Sequence, residues 1–248
     1  MSSVDLHHYA FPVLGCNVPF DQPDYSGKLV LNGTCFSVKN GIFLTAAHVL
    51  KGALSAKFHA VYIWGGTSFI AYYFDDYEFF EDYDLAVFRT IIEPSINVEE
   101  FSWRDNTLSS AAFVSAVGYA HGLDIEQNSL SLRSFSGFIV SAPTYCKQVK
   151  SRARAYELSF VSPLDLSGAP LLNNLNIHGY IIGMSESKIL INKYETIEKD
   201  NEEVRRVTEE YNYTYFSIAI RTEAILALSS RILQATLGDY LARNNLLI

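Results

Sequence analysis

Three residues that together could perform acyl transfer follow one another along the chain in the order histidine, aspartate, serine. His48 ends a run of small residues, Asp84 directly precedes the apolar run 85–88, and Ser167 is followed by a glycine. A serine hydroxyl is a weak nucleophile until a base removes its proton. An imidazole held in one tautomer by a carboxylate is well suited to be that base. The pattern therefore predicts a serine nucleophile with a histidine base.

The histidine follows a predicted β-hairpin. Residues 35–38 and 42–45 are short apolar runs, and Asn40-Gly41 lies between them. Asn-Gly between two such runs is the strongest short-range signal of a hairpin. We expect His48 at the end of the second strand, where a rigid backbone would fix the imidazole. A single histidine beside apolar residues is more often part of a core, so its catalytic interpretation depends on Asp84 and Ser167.

Short aromatic and β-branched runs separated by turn residues continue through most of the chain. This pattern predicts an all-β fold of β-barrels. Residues 93–106 change to proline, acids and polar residues, which is typical of a linker. We therefore expect an N-terminal barrel over residues 1–105 that carries the histidine and aspartate. A second barrel over residues 106–221 would carry the serine.

Two segments depart from the strand pattern. Residues 187–212, whose centre at 195–210 is rich in charge, are expected to be an insertion between two late strands. The insertion would be an exposed loop with a helical turn, or else a docking or regulatory loop for a partner. Residues 222–248 are expected to form a C-terminal α-helix packed on the barrels, with Thr222 as its N-cap. The apolar positions at helical spacing are Ile225, Leu228, Ile232 and Leu233.

Composition argues against several classes of function. Hydrophobic residues make up 49% of the 248 residues, enough for a large core, and the net charge of −8 opposes nucleic-acid binding. No apolar run has the length of a membrane span or a signal peptide, so we expect no membrane association. The three cysteines are widely spaced, which indicates reduced thiols in a cytoplasmic protein. We expect no metal and no cofactor.

Three short motifs resemble those of trypsin-fold (chymotrypsin-like) serine proteases, and the resemblance extends over most of residues 27–221. The motifs are Thr45-Ala46-Ala47-His48, Asp84-Leu85-Ala86 and Ser167-Gly168-Ala169-Pro170. Further segments are similar to the HtrA-like bacterial branch, namely Val117-Gly118-Tyr119, residues 136–141 and residues 216–220. The residues from Thr222 onwards are too few for the PDZ module that usually accompanies that branch.

The resemblance implies two antiparallel six-stranded β-barrels with the active site in the cleft between them. His48 would be the general base, Asp84 the residue that orients it, and Ser167 the nucleophile. The substrate would be a protein or peptide. The oxyanion hole would be made by the backbone N–H groups of Asp165 and Ser167. Leu166 replaces the aspartate through which digestive members are activated, so activation through that salt bridge is not expected.

The pattern departs from the family at Asp165, where most members have glycine. A β-carbon and a negative charge beside a developing oxyanion are unfavourable unless the side chain points away. The resemblance also assigns the primary substrate pocket to Val161, Ser162, Met184, Ser185 and Glu186. Because Val161 stands where trypsin-like members keep an acid, we expect a small or medium apolar side chain in the pocket. A negative charge from Glu186 would instead favour a basic one.

Two functions follow from these observations. The first is a serine endopeptidase, either constitutively active or latent until a partner or peptide remodels the region around Asp165. The second is a catalytically weak or inactive protease-like module. Such a module would bind a protein partner through its cleft or its acidic insertion.

Overall fold

Antiparallel strands form most of the computed structural model, which describes residues 5–20, 29–120, 123–124, 129–142, 154–200 and 202–248. Cys146 lies outside these residues. The strands are β1 (Ala10–Cys16), β2 (Val30–Lys39), β3 (Ile42–Ala46), β4 (Phe58–Trp64), β5 (Phe69–Tyr73), β6 (Asp76–Phe80), β7 (Leu85–Arg89), β8 (Ser102–Trp103), β9 (Phe113–Gly118), β10 (Leu123–Asp124), β11 (Ser129–Leu130), β12 (Arg133–Ser141), β13 (Ala155–Leu158), β14 (Pro170–Asn173), β15 (Asn176–Asp200), β16 (Glu202–Arg221), β17 (Ser229–Ser230) and β18 (Ala235–Thr236). The helices are α1 (Ala47–Leu54), α2 (Thr222–Ile225), α3 (Leu237–Arg243) and three 3₁₀ turns at Leu6–His8, Glu81–Tyr83 and Leu164–Leu166.

The first sheet has the strand order β5-β4-β1-β2-β3-β7-β6. Its two edge strands are consecutive in sequence and separated only by Phe74 and Asp75. They are the two halves of one bent strand, which pairs with β4 before the bend and with β7 after it. Thr90 fastens the bend, because its hydroxyl donates a 2.7 Å hydrogen bond to the carbonyl of Tyr73. The predicted six-stranded barrel is therefore present, with one of its strands divided in two.

The second sheet has the order β14-β9-β12-β13-β16-β15, and β15 pairs back onto β14 to close a ring of strands. The short strand β8 adds to β15 in parallel through Ser102 and Trp103. Trp103 is fully buried, so the chain between the two sheets ends in a core residue. The expectation of an all-β, chymotrypsin-like pair of barrels is confirmed.

The predicted hairpin is confirmed as β2 and β3. Asn40 and Gly41 have φ angles of 55° and 72°, as a two-residue turn of type I′ requires. Strand β1 was not predicted. All of its residues are buried, and it pairs with both β2 and β4 although it contains Pro12. Proline normally argues against a central strand because it lacks the N–H donor.

One apolar cluster joins both sheets to the C-terminal segment. Phe36 of the first sheet, Ile220 of the second and Leu241 of α3 all belong to it and are fully buried. Burial on this scale is the main favourable contribution to folding. The two sheets and the C-terminal segment are therefore held together by a shared core.

The expectation of a loop at 187–212 is wrong. In the described backbone, β15 and β16 continue as an antiparallel pair from Ser187 opposite Thr214 to Asp200 opposite Glu202, and we call this pair the arm. Alternating tyrosines at 211, 213 and 215 on β16 have the high strand propensity that the charged residues obscured. Its described side chains are largely exposed, including Ile191 at 53% and Tyr213 at 45%.

The single C-terminal helix predicted from Thr222 is also wrong. Helix α2 ends at Ile225, the short hairpin of β17 and β18 follows, and α3 begins at Leu237. Thr236 caps α3, because its hydroxyl oxygen accepts a 3.1 Å hydrogen bond from the N–H of Asp239. The apolar residues of the predicted stripe are buried or packed on the core, but they belong to different elements.

We predict that the arm contributes little to stability. Residues 189–212 are replaced by Asn-Gly, which joins Lys188 to the residue opposite it, Tyr213. Because the described side chains of the arm lie outside the core, the midpoint of thermal unfolding should change by less than about 3 °C. As a control in the buried part of β15, Ile181→Ala should cost about 2–5 kcal/mol of unfolding free energy. Calorimetry measures the unfolding of both variants. A large fall in the unfolding midpoint of the arm deletion would contradict the prediction that the arm contributes little to stability.

Candidate active site

Asp84 lies between the 3₁₀ turn at Glu81–Tyr83 and β7, with left-handed backbone angles of φ 50° and ψ 42°. Aspartate is one of the few residues with a β-carbon that enter this region readily. Its N–H donates to the carbonyl of Glu81 at 3.2 Å. The left-handed turn directs the carboxylate towards the start of α1.

His48 lies in the first turn of α1. The expectation that it ends a strand is wrong, because β3 ends two residues earlier, at Ala46. The residue before the helix, Ala46, provides no side-chain cap. Asp84 supplies the missing acceptors instead. Its carbonyl accepts the N–H of Ala47 at 2.8 Å, and its Oδ1 accepts the N–H of His48 at 3.0 Å. A carboxylate at the positive end of a helix is stabilising and satisfies donors that the helix leaves unpaired.

The same carboxylate contacts the imidazole, with 2.6 Å between Asp84 Oδ2 and His48 Nδ1. A carboxylate only accepts hydrogen bonds, so Nδ1 must carry the proton and Nε2 of the neutral ring is the acceptor. The His48 side chain is 49% exposed and the Asp84 side chain 19%. The ring is therefore fixed on one side and accessible on the other.

Ser167 and Gly168 bring the second barrel into contact with the first. The carbonyl of Ser167 accepts the N–H of Thr34 on β2 at 2.9 Å. Gly168 has a φ of 83°, and a β-carbon there would lie 2.1 Å from the carbonyl oxygen of Thr34 and 2.2 Å from Oγ1 of Thr45. Only glycine permits this approach. The structure thus places Ser167 against β2 and Gly168 against both β2 and β3, the strand that leads into His48.

The loop before Ser167 satisfies one of its own N–H groups. In the 3₁₀ turn, the N–H of Ser167 donates to the carbonyl of Leu164 at 3.4 Å. The Leu164 side chain is 78% exposed, whereas Ser167 is almost buried. The carbonyl of Asp165 accepts a 3.3 Å hydrogen bond from Oγ1 of Thr34. In this conformation the Ser167 N–H, one of the two predicted oxyanion donors, is directed into the loop.

The two segments of the predicted substrate pocket lie side by side. Ser162 is buried, and its hydroxyl donates to the carbonyl of Gly183 at 3.2 Å. Val161 is 50% exposed and Met184 38% exposed. Glu186 is exposed and Ser185 is half-buried. This arrangement leaves the assignment of the pocket as a prediction.

No pattern in the sequence marks Thr34, a residue of β2 that bonds to the loop before Ser167, to β3 and to Tyr119. In addition to its contacts with Asp165 and Ser167, its Oγ1 accepts the N–H of Tyr119 at 3.0 Å and its carbonyl accepts Oγ1 of Thr45 at 2.7 Å. Its side chain is fully buried. A threonine in a strand has no sequence signal that distinguishes this role from ordinary β propensity.

Other kinds of site are not evident among the described residues. These residues include no group of three or more histidine, cysteine, aspartate or glutamate side chains that could hold a metal ion. None of their helices is both long and apolar enough to cross a membrane. Cys16 and Cys35 are not joined in disulfides, and both are buried. Burial raises the pKa of the Cys35 thiol well above its usual value, which makes it unreactive.

Comparisons with known proteins agree with this fold. The family model described as a trypsin-like peptidase domain matches residues 33–184, more than half of the chain. No curated protein matches the chain.

Solved structures with similar folds are only 12–15% identical in sequence, so they support the fold alone. The active form of the Rv3671c protease from M. tuberculosis has a TM-score of 0.56 and 15% identity, covering 95% of this chain and 80% of that one. The MamO protease domain from Magnetospirillum magneticum has a TM-score of 0.58 and 12% identity, covering 91% and 98%. The HtrA-type protease AlgW with a decapeptide has a TM-score of 0.56 and 13% identity, covering 88% of this chain and 62% of that one.

We predict that replacements of Asp84 rank by their ability to keep its backbone angles and its capping bond. Asp84→Asn retains both an oxygen acceptor and tolerance of the left-handed region, so it should cost less than about 1 kcal/mol of unfolding free energy. Asp84→Ala loses the cap and adds backbone strain, and should cost about 2 kcal/mol. Urea unfolding measures both. Equal stabilities of the two variants would argue against the capping role.

Proposed function

Because the chain belongs to the family of trypsin-like peptidase domains, we propose that it is a serine endopeptidase that works through His48, Asp84 and Ser167. The protein is thus a hydrolase of peptide bonds, and the proposal concerns how it acts. The observation that carries the proposal is the pair of contacts from one carboxylate to His48, at 3.0 Å to its N–H and 2.6 Å to its ring. These contacts fix the imidazole just after β3, and Gly168, the residue that follows Ser167, lies against Thr45 of the same strand.

In the first half of the reaction, Nε2 of His48 takes the proton of the Ser167 hydroxyl as Oγ attacks the carbonyl carbon of the substrate. The imidazolium that forms is stabilised by the Asp84 carboxylate. The negative oxygen of the tetrahedral intermediate requires N–H donors, assigned to Asp165 and Ser167. The intermediate collapses as His48 gives the proton to the leaving amine. An acyl-enzyme on Ser167 remains.

In the second half, His48 removes a proton from water, and the hydroxide attacks the acyl carbon. Collapse of the second intermediate returns the proton to Oγ of Ser167 and releases the carboxylic acid. The substrate is a protein or peptide, with a small or medium apolar side chain in the pocket of Val161, Ser162, Met184, Ser185 and Glu186. Cys16 and Cys35 are buried cysteines that form no disulfide. Such cysteines are compatible with a reducing compartment and support a cytoplasmic location.

We expect a fluorophosphonate probe to modify Ser167 in the wild-type protein, because only a base-activated serine reacts rapidly with it. Mass spectrometry of the digested protein locates the adduct. Ser167→Ala should abolish labelling, and Asp84→Asn should slow it by roughly 10⁴-fold because the imidazole then adopts the wrong tautomer.

The matched control is Ser110→Ala, which removes an exposed serine hydroxyl just before β9. This variant should label at the wild-type rate. Labelling that persists in Ser167→Ala would contradict the assignment of the nucleophile.

We further propose that the enzyme is latent without substrate or partner. The 3.4 Å bond from the Ser167 N–H to the Leu164 carbonyl uses a donor that the oxyanion would need. Rotation of the peptide between Leu164 and Asp165 would release this donor and turn the Asp165 N–H to the same side. Binding of a peptide or a regulatory protein would favour the rotated state by a shift of population. The arm offers an exposed surface for such a partner.

We expect Asp165→Gly to raise kcat/KM by about ten-fold, equivalent to about 1.4 kcal/mol. Glycine rotates more freely and brings no negative charge to the oxyanion. Asp165→Asn keeps the β-carbon and removes only the charge, so it separates the two effects. Initial rates on a peptide library measure the change. Variants that are no faster than the wild type would contradict latency at this residue.

The second candidate function is a protease-like binding module, and the same closed loop favours it. In that case the Ser167 N–H would stay bonded to Leu164 in the presence of any peptide. The module would then bind its protein partner through the cleft or the arm. Failure of the fluorophosphonate to label the wild-type protein, with or without added peptides, would support this function and reject the endopeptidase.

A further inference from the structure

We propose that Thr34 is a positioning residue for the loop that precedes the nucleophile. This inference rests on the proposed endopeptidase function and deepens it. Thr34 lies on β2 of the first barrel, whereas the loop at 161–168 belongs to the second. Two hydrogen bonds join them, from the Thr34 N–H to the carbonyl of Ser167 at 2.9 Å and from Oγ1 to the carbonyl of Asp165 at 3.3 Å.

The Thr34 hydroxyl is itself fixed. Oγ1 accepts the N–H of Tyr119 at 3.0 Å, so its single proton is directed to the carbonyl of Asp165. A β-carbon on Gly118 would lie 2.5 Å from this oxygen, and the glycine therefore leaves the space that the hydroxyl fills. Tyr119 is held in turn, because its phenol lies 3.0 Å from Nδ1 of His7. A fully buried hydroxyl with both partners satisfied can hold its acceptor without rearrangement.

The remaining bonds of the loop show which part can move. The carbonyl of Leu166 accepts the N–H of Ala169 at 3.1 Å, and the N–H of Gly168 donates to the carbonyl of Ile181 at 2.7 Å. Thr34 holds the carbonyl of Ser167, which lies between these bonds, and the carbonyl of Asp165, which precedes them. The peptide after Asp165 has one further bond, from the N–H of Leu166 to the carbonyl of Pro163 at 3.0 Å. The carbonyl of Leu164 accepts the N–H of Ser167, a bond that lies within the turn. The rotation that opens the oxyanion hole is therefore confined to the peptide between Leu164 and Asp165, and Thr34 provides the fixed end.

Loss of this anchor would let the peptide after Asp165 reorient as well, so fewer molecules would present both N–H groups together. Electrostatic stabilisation of the oxyanion depends on donors that are oriented in advance. The effect should fall on kcat, since the hydroxyl is directed at the loop backbone and not at the pocket. A residue that only stabilised the fold would change the folded fraction and leave the rate per folded molecule intact.

The test compares Thr34→Val with Thr34→Ser, on a peptide that the wild-type protein cleaves. Thr34→Val removes the hydroxyl at nearly constant shape. Its kcat per folded molecule should fall by about ten-fold to a hundred-fold with KM unchanged, less than the loss for direct removal of an oxyanion donor. Thr34→Ser keeps the donor and should stay within about two-fold of the wild type.

The matched control is Thr90→Val. Thr90 is also a buried threonine whose hydroxyl donates to a carbonyl, that of Tyr73, but it lies at the bend of the first sheet. Thr90→Val should lose stability as Thr34→Val does, but its kcat per folded molecule should equal that of the wild type. If Thr34→Val does not fold, Thr34→Cys is compared with Thr34→Ser. Cysteine has nearly the shape of serine, but its S–H is a weaker hydrogen-bond donor than the serine hydroxyl.

The outcomes separate the two proposals. A wild-type protein that cleaves peptide, with Thr34→Val equally fast per folded molecule, overturns the positioning role and leaves the endopeptidase intact. A wild-type protein that neither cleaves nor labels rejects the endopeptidase, and the positioning role with it. A fall in kcat that serine restores and that Thr90→Val does not reproduce supports the role of Thr34.

Discussion

The carboxylate of Asp84 accepts one hydrogen bond from the main chain of His48 and a second from its ring, at 3.0 Å and 2.6 Å. The rest of the site depends on this double contact. One oxygen completes the first turn of α1, which has no cap of its own, and the other holds the imidazole in one tautomer. Because the same side chain stabilises the helix and orients the ring, the position of the base is coupled to the folding of the first barrel. The left-handed backbone of Asp84 makes both contacts possible.

Ser167, the proposed nucleophile, is held against the opposite barrel by close contact between backbones. Gly168 fits against Thr34 and Thr45 only because it has no β-carbon, and the carbonyl of Ser167 bonds to the N–H of Thr34. Separation of the two sheets would break the packing of the shared apolar cluster behind this contact, which costs free energy. Hydrogen bonds alone would not suffice, since each contributes only about 1 kcal/mol net. Packing fixes the barrels, and the hydrogen bonds then set the register of the loop.

Rigidity is distributed unevenly around Ser167. The bonds that follow the serine tie it to the strand at Ile181, and those from Thr34 tie it to the first barrel. The carbonyl of Leu164 accepts the Ser167 N–H within a 3₁₀ turn, and Leu164 itself is 78% exposed. In the proposed latent state, Ser167 would stay fixed while one peptide changes its orientation. The proposed activation is then a small local rearrangement and not a change of fold.

The amino-acid sequence alone was enough to predict the all-β fold and the hairpin at Asn40-Gly41, and to propose the three residues of the candidate site. These properties follow from local signals, namely residue type, turn chemistry and short apolar runs. Only the tertiary structure decided that Asp84 caps α1 and that Thr34 joins the barrels, because both roles arise from partners distant along the chain. The same holds for the burial of β1 despite Pro12, for the arm, whose charged sequence resembled a loop, and for the divided C-terminal segment. In each of these, long-range pairing or burial outweighed the local preference that the residues express alone.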